Sequence, residues 1–506
     1  MKHSFTHEDE KSLNEIGISL ITAKEQLALL EKGAIHTHLD RPATIGDGIL
    51  TFTEKEINKY NSFFESSKQQ YTIARFIPAS GMASRMFKFI HYFFKNYNPE
   101  KDTLRSYLNR KKTYKLAVFL GGIEKLPFYA QVRGAVNKRQ SGELHTDYRN
   151  RFIERVINVY SMLPKALIPF HNYENTLRTA AEEQLFLSKE FIVNRDQMNI
   201  HFTIPPKSKK TFNDALLTGT SFLQTAFSIT TNLEFSHQKE TTNTIALSHD
   251  NTPLRDVDGQ LVLRAGGHGS LIGNLNSMKE KIIFLSNIDN ISVQKYHLHT
   301  AKYKKLLGGV LMSLLEQVYH HCRALEIGKV LDVIELKTFA TQQLNIQIPD
   351  DLNEDALILF LKQKLSRPLR VCGMVKNEGE PGGGPFWVQK GSEESLQIVE
   401  EAQVHIENKH QKSTFKKGTY FNPVDIVCAT HNFKGEKYDL RKFVDEDSFF
   451  MTIKSYRGNE IKALEHPGLW NGAMADWNTV FVEVPVRTFN PVKTVIDLLR
   501  PMHQNI

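Results

Sequence analysis

Phe76-Ile77-Pro78-Ala79-Ser80-Gly81-Met82-Ala83-Ser84-Arg85-Met86 reads as an apolar strand that runs into a loop of small residues and closes on Arg-Met. Small side chains let backbone N–H groups approach an anion closely, and a helix beginning near Phe87 would aim its positive end at the same place. The expected cradle is Ala79, Ser80, Gly81, Ala83 and Ser84. Ser-Gly pairs also sit in ordinary turns, so the loop gains meaning only from what surrounds it.

Upstream of the loop, residues 8 to about 70 carry helical periodicity (Leu13, Ile16, Leu20, Leu27, Leu30), with a second helix over Glu54 to Ser67, and read as an N-terminal helical arm, 1–70. Residues 87–160 are helical again, broken at Gly121-Gly122 and carrying the basic run Arg110-Lys111-Lys112, and read as an insertion. Beyond Pro164, β-branched or aromatic runs alternate with helices: Ile200–Ile204, Phe227–Phe235, Ile282–Ser286, Leu331–Leu336, Leu369–Val375, Leu396–Val404, Asp425–Ala429 and Thr479–Val486. This alternation predicts an α/β fold with a mixed, mainly parallel, Rossmann-like sheet over 71–430, completed by 431–506, with its site at the carboxyl ends of the strands.

The 506 residues hold 64 Lys+Arg against 56 Asp+Glu, a net charge of +8 that is interspersed along the chain. That surplus suits a phosphate-rich ligand and forms no aromatic-interleaved basic stripe, so nucleic acid is not expected. Three widely spaced cysteines, Cys322, Cys372 and Cys428, fit neither a disulfide framework nor a zinc site. No apolar run reaches the length of a membrane span, and the first ten residues have no signal-like core. A cytoplasmic protein with no membrane partner is expected. His297 and His299 lack partners at ligand spacing, and His320-His321-Cys322 is adjacent rather than i,i+4, so none is taken as a ligand.

Five segments then carry chemistry. Leu163-Pro164-Lys165 sets a lysine behind a rigid proline, and most such lysines are simply solvated. Gly266-Gly267-His268-Gly269 demands close backbone approach to a neighbouring strand or to a planar ligand. Asn287-Ile288-Asp289-Asn290 ends the 282–286 strand in a carboxylate suited to Mg²⁺, and is equally a common turn sequence. Ile398-Val399-Glu400-Glu401 and Val484-Pro485-Val486-Arg487-Thr488-Phe489-Asn490-Pro491-Val492-Lys493 follow.

In this order the segments resemble the UDP-sugar pyrophosphorylase superfamily, as a distant bacterial branch. The small-residue loop with Arg85 and then Pro164-Lys165 resembles the G-G-x-G-T-R and P-K pair of sugar nucleotidyltransferases, here split by roughly seventy residues. Ala83 stands at the second glycine and Ser84 at the threonine. Gly266, Gly267, His268 and Gly269, with Gln238 upstream, resemble the loop against uracil and ribose; Asp289 resembles the metal ligand; Glu400 resembles the residue that meets the sugar; and Lys493 resembles the lysine that reaches the phosphates. The resemblance implies transfer of a uridylyl group from UTP to a sugar 1-phosphate, with Mg²⁺ on Asp289, catalytic Arg85, Lys165 and Lys493 around the phosphates, and substrate contacts from Glu400, Asn290 and Lys376. Lys376 opens a glycine-rich charged stretch, 376–387, read as a specificity or closing loop. Two rival readings stand beside it: a nucleotide-sugar-dependent glycosyltransferase, set against by the single carboxylate in Asn287-Ile288-Asp289, and a non-catalytic nucleotide-sugar-binding protein.

Overall fold

The computed structural model describes residues 5–505 apart from 34, 99, 112, 137–144, 175, 329–331 and 381. Residues 1–4 of the N-terminal reading, Lys112 of the basic run, Leu331 of an expected strand and Pro381 of the glycine-rich stretch therefore lie outside the described residues. The chain folds into two compact units that interleave in sequence: Met1–Ile73, Gln238–Leu285 and Lys305–Val486 form one, and Ala74–His237, Ser286–Lys304 and Arg487–Ile506 form the other. We call them the first and second units.

In the second unit the strand Ile73–Pro78 lies parallel to Gln197–Thr203, which lies parallel to Thr230–Ser236. Phe76, Ile77, Ile200 and Phe202 are all buried, as a sheet covered on both faces requires. Arg75 is also fully buried, its guanidinium bonded to Gln184 O, Gln184 Oε1 and Ser188 Oγ at 2.7–3.0 Å. Those partners sit on the helix Ala180–Lys189, which starts at a reciprocal Thr179–Glu182 cap. The insertion forms the helices Lys88–Asn96, Leu104–Lys111, Tyr114–Gly122, Tyr129–Ala135 and His145–Tyr160.

In the first unit the strands Thr44–Ile45, Gly48–Leu50, Asn478–Glu483 and Leu369–Lys376 pair in parallel, and Asp425–Ala429 then runs antiparallel to Leu369–Lys376. Two antiparallel sheets accompany them, one of Leu39–Pro42, Gly384–Lys390 and Glu393–Val399, the other of Leu263–Ala265, Asn243–Leu247, Asn459–Glu465 and Phe450–Tyr456. The helices His7–Glu15 and Leu20–Lys32 bury Leu13, Leu27 and Leu30 against Ile245, Leu247 and Leu464. The protein is thus a mixed α/β fold whose central strands are mainly parallel.

Three readings change. The apolar run at 331–336 belongs to the helix Val333–Leu344: Leu336, Phe339, Ala340 and Leu344 make one buried helical face, and Asp332 caps it through Ile334 N and Glu335 N. The helical reading of 8–70 is interrupted by short strands between 39 and 50. The glycine-rich stretch turns into strand at Gly384, whose missing side chain lets Tyr420 O approach where a Cβ would be 3.0 Å away.

All three cysteines are buried and free. Burial pushes the Cys322 and Cys372 thiols up to about 11 and the Cys428 thiol higher still. A disulfide thiol reagent at neutral pH is expected to titrate none of them in the native protein and all three in denaturant; fast native reaction would contradict this packing. Among the described residues no helix is long and apolar enough to cross a membrane.

Candidate functional site

Within the second unit the two ends of the insertion meet at one place. Ala83 N donates to Leu163 O and Lys165 N donates to Gly81 O, both at 2.9 Å, so the small-residue loop and the Pro-Lys segment form a short antiparallel bridge. Five helices between them therefore cost the site nothing in geometry. Lys165 points from this bridge to Asp289, with Nζ 2.6 Å from Oδ2. Lys493 Nζ reaches the same oxygen at 3.1 Å. Asp289 is brought there by the 282–286 strand and tied to the second lysine's segment through Val492 N, which donates to Asp289 O at 3.0 Å.

Charge follows from this geometry. Burial pushes the Asp289 carboxyl up, but the Lys165 and Lys493 ammonium groups more than offset it and hold the group below its ordinary value of 3.8. Burial lowers Lys165, and Asp289 pulls it partly back. Two ammonium groups share one carboxylate oxygen here, and the Asp497 carboxylate also acts on Lys165. Lys493 is more than half exposed, so its pairing is the weaker of the two and the more easily given up to an incoming anion.

The small-residue loop has donors to offer. Ala79 N is used on Thr203 O and Ala83 N on Leu163 O, and the Ala83 side chain is buried, so these two residues serve the fold. The amides of Ser80, Gly81 and Met82 have no hydrogen-bond partner among the described residues. A Cβ on Gly81 would meet nothing within 4 Å. Ser84 and Arg85 are exposed. Three consecutive N–H groups without a protein partner among the described residues, on a loop bridged to the Lys165 segment, are available to an anion. The helix Lys88–Asn96 starts after a 3₁₀ turn at Ala83–Arg85, with Phe87 at its N-cap, as the reading near Phe87 expects.

Asn290 spends its Oδ1 on Asn490 N at 2.8 Å, which makes it a brace for the Lys493 segment. Sequence reading passed over Asp497, whose Oδ2 accepts from Lys493 N at 2.9 Å and Thr494 N at 2.6 Å. The Thr494-x-x-Asp497 spacing of a capping box was the available signal. Among the described residues no group of three or more His, Cys, Asp and Glu side chains would hold a metal ion. A divalent cation here would have one protein carboxylate, which suits Mg²⁺ when substrate phosphates and water complete the shell.

The remaining candidates lie in the first unit. The close approach that the glycines demand is made by the chain itself: a Cβ on Gly266 would lie 2.5 Å from Thr242 O, one on Gly267 2.4 Å from Glu465 Oε2, and one on Gly269 2.1 Å from Pro467 O. Gln238 Nε2 is 3.3 Å from Ser270 Oγ. His268 stacks on Trp470 with ring centroids 4.2 Å apart and planes 14° from parallel, and its Nδ1 accepts from Leu469 N at 2.9 Å. That bond requires an unprotonated Nδ1, in keeping with burial lowering the imidazole's basicity. The Glu400 carboxyl is pushed up by burial, an effect the neighbouring Trp470 indole partly offsets, and lies 4.0 Å from His268 Nε2. His268, Trp470 and Glu400 thus form one polar group beside the glycine loop. Lys376 is exposed at the end of its strand, in register with Tyr420, and no bond joins it to that group among the described residues.

A model of the family described as domain of unknown function DUF4301 matches residues 6–504. The chain belongs to this family. Solved structures similar to this family member include UDP-glucose phosphorylase from Trypanosoma brucei, at 12% identity over 97% of this chain and 76% of that one, with a TM-score of 0.45. Uridine diphosphate N-acetylglucosamine pyrophosphorylase from Trypanosoma brucei in complex with inhibitor is 9% identical, over 98% and 79%, with a TM-score of 0.46. UDP-glucose pyrophosphorylase from Leishmania major is 11% identical, over 98% and 79%, with a TM-score of 0.43. No curated protein matches the chain.

Proposed function

We propose that the protein is a nucleotidyltransferase that moves a uridylyl group from UTP to a sugar 1-phosphate, giving UDP-sugar and pyrophosphate. The observation that carries this reading is the run of unused amides at Ser80, Gly81 and Met82 beside Lys165 and Lys493 on Asp289. The order of the sequence motifs supports it. A sugar phosphate oxygen would attack the α-phosphorus in line; the new P–O bond forms as the bond to the β-phosphate oxygen breaks, and pyrophosphate leaves with that electron pair. The nucleophile is already ionised, so no strong base is required. The work of the chain is positioning and charge neutralisation: the loop amides hold phosphate oxygens, and Lys165, Lys493 and Arg85 balance the leaving charge. Asp289 would be the protein's ligand to Mg²⁺, which would supply further neutralisation when bound.

The test is pyrophosphate release by the purified protein with Mg²⁺, each nucleoside triphosphate and a panel of sugar 1-phosphates. Release with UTP and one sugar is expected. Hydrolysis of a UDP-sugar without pyrophosphate dependence, or tight nucleotide binding with no turnover across the panel, would overturn the reading in favour of a glycosyltransferase or a binding protein. Gly81→Ala gives a sharper check of the cradle. Its Cβ has open space, so stability is expected to stay within about 0.5 kcal/mol of wild type, while a methyl group on the phosphate path weakens UTP roughly tenfold. Unchanged affinity in calorimetry would mean that phosphate does not sit on these amides.

A further inference from the structure

The segment that delivers Lys493 contains no long helix or strand, only 3₁₀ turns at Val495–Leu499 and Pro501–His503. Val492, Val495 and Leu498 are fully buried and hold it down, but apolar burial is non-directional and does not fix where along its path the segment stops. Directional bonds do. Val495 N donates to Met86 O at 3.2 Å, Val293 N donates to Met502 O at 3.0 Å, and the chain then ends its buried course at His503, 2% exposed.

His503 Nδ1 lies 3.0 Å from His171 Nε2, and the two rings stack with centroids 5.3 Å apart. Behind them is Glu183, with a side chain that is 0% exposed. Its Oε1 is 3.1 Å from His171 Nδ1, an approach too oblique for a full hydrogen bond, and its Oε2 is 3.5 Å from His297 Nε2 and 3.8 Å from Arg178. Burying a carboxylate costs several kcal/mol before its partners repay it, so an apolar plug would hold the segment at less cost. What the polar stack adds is orientation: one ring position satisfies His171, and a slip of one residue loses it.

We infer that His503 is a positioning residue for Lys493: its buried bond to His171, backed by Glu183, sets the register of the segment that lays Lys493 against Asp289. The consequence for phosphate binding rests on the nucleotidyltransferase reading, whereas the consequence for the segment's order does not.

Two readouts separate these. Hydrogen exchange over 490–497 is followed in wild type, His503→Phe, which keeps a ring in place and loses the bond, and His503→Asn, which restores a polar atom near Nδ1. Inorganic pyrophosphate affinity is measured by calorimetry on the same proteins, on Lys493→Ala and on the Lys493→Ala/His503→Phe double variant. Exchange in His503→Phe is expected to rise roughly tenfold, the size a buried hydrogen bond supplies, with pyrophosphate binding weakened and His503→Asn close to wild type in both. The double variant is expected to bind no more weakly than Lys493→Ala alone. Unchanged exchange in His503→Phe, or losses that simply add in the double variant, would overturn the inference. If wild type fails to bind pyrophosphate, the nucleotidyltransferase reading falls and exchange alone decides the positioning role.

Discussion

Asp289→Ala is expected to lower the proposed uridylyl transfer by on the order of a hundredfold or more and to destabilise the protein by about 3 kcal/mol. The first effect follows from losing the group that gathers Lys165 and Lys493 at one oxygen, 2.6 and 3.1 Å away. The second follows from leaving Lys165, whose side chain is 14% exposed, as a buried ammonium without the carboxylate it bonds. Because burial already lowers Lys165, the lysine can shed its proton in the variant, which limits the loss to the low end of what breaking a buried pair costs. Asp289→Asn keeps the shape and is expected to lose as much rate with less stability. The sign of the pH dependence is fixed by the same groups. The Asp289 carboxyl titrates below its ordinary 3.8 in the folded protein, so its stabilisation is complete above that value and fades as pH falls through the folded one. Denaturation of wild type and Asp289→Asn should therefore converge below pH 4. Parallel profiles, or full turnover in either variant, would remove Asp289 from the site.

Much of this site was legible because its parts are local. A strand followed by small residues needs only neighbouring residues to be recognised, and Ser80 and Gly81 carry free amides where that reading put donors. Asp289 sits at a strand's carboxyl end, which periodicity also gives. What sequence could not supply was economy of use: nothing in Ala79 or Ala83 announces that their amides are spent on Thr203 and Leu163, or that Asn290 braces Asn490. His297 was set aside for want of a partner in sequence, and Glu183 reaches it only through the fold. The misread run at 331–336 has the same origin in reverse. Short apolar runs fit strand and helix alike, and the deciding signals, the Asp332 cap and the Phe339 and Leu344 spacing, lie at and beyond its ends.

The glycine loop makes the converse prediction, since its demand for glycine comes from the chain itself. Gly269→Ala is expected to destabilise the protein by about 2–3 kcal/mol, at the upper end of ordinary overpacking. The added Cβ would sit 2.1 Å from Pro467 O and 2.8 Å from His466 O, and both are backbone atoms with no rotamer to turn away. Relief requires the 465–469 segment to move, and that segment supplies the Leu469 N–H to His268 and leads into Trp470, which stacks on His268. Gly273→Ala is the matched control. It lies in the helix Ile272–Ser277 with nothing within 4 Å of its Cβ, so alanine should be neutral or stabilising by up to about 1 kcal/mol. Denaturant midpoints decide the stability claim, and tryptophan emission reports the His268–Trp470 stack. Equal stability of the two variants would mean that the loop gives way freely, leaving its glycines to be explained by something that binds there. A destabilised Gly269→Ala with altered emission would instead place the requirement within the fold, and would leave recognition in this unit to the polar edge formed by His268, Trp470 and Glu400.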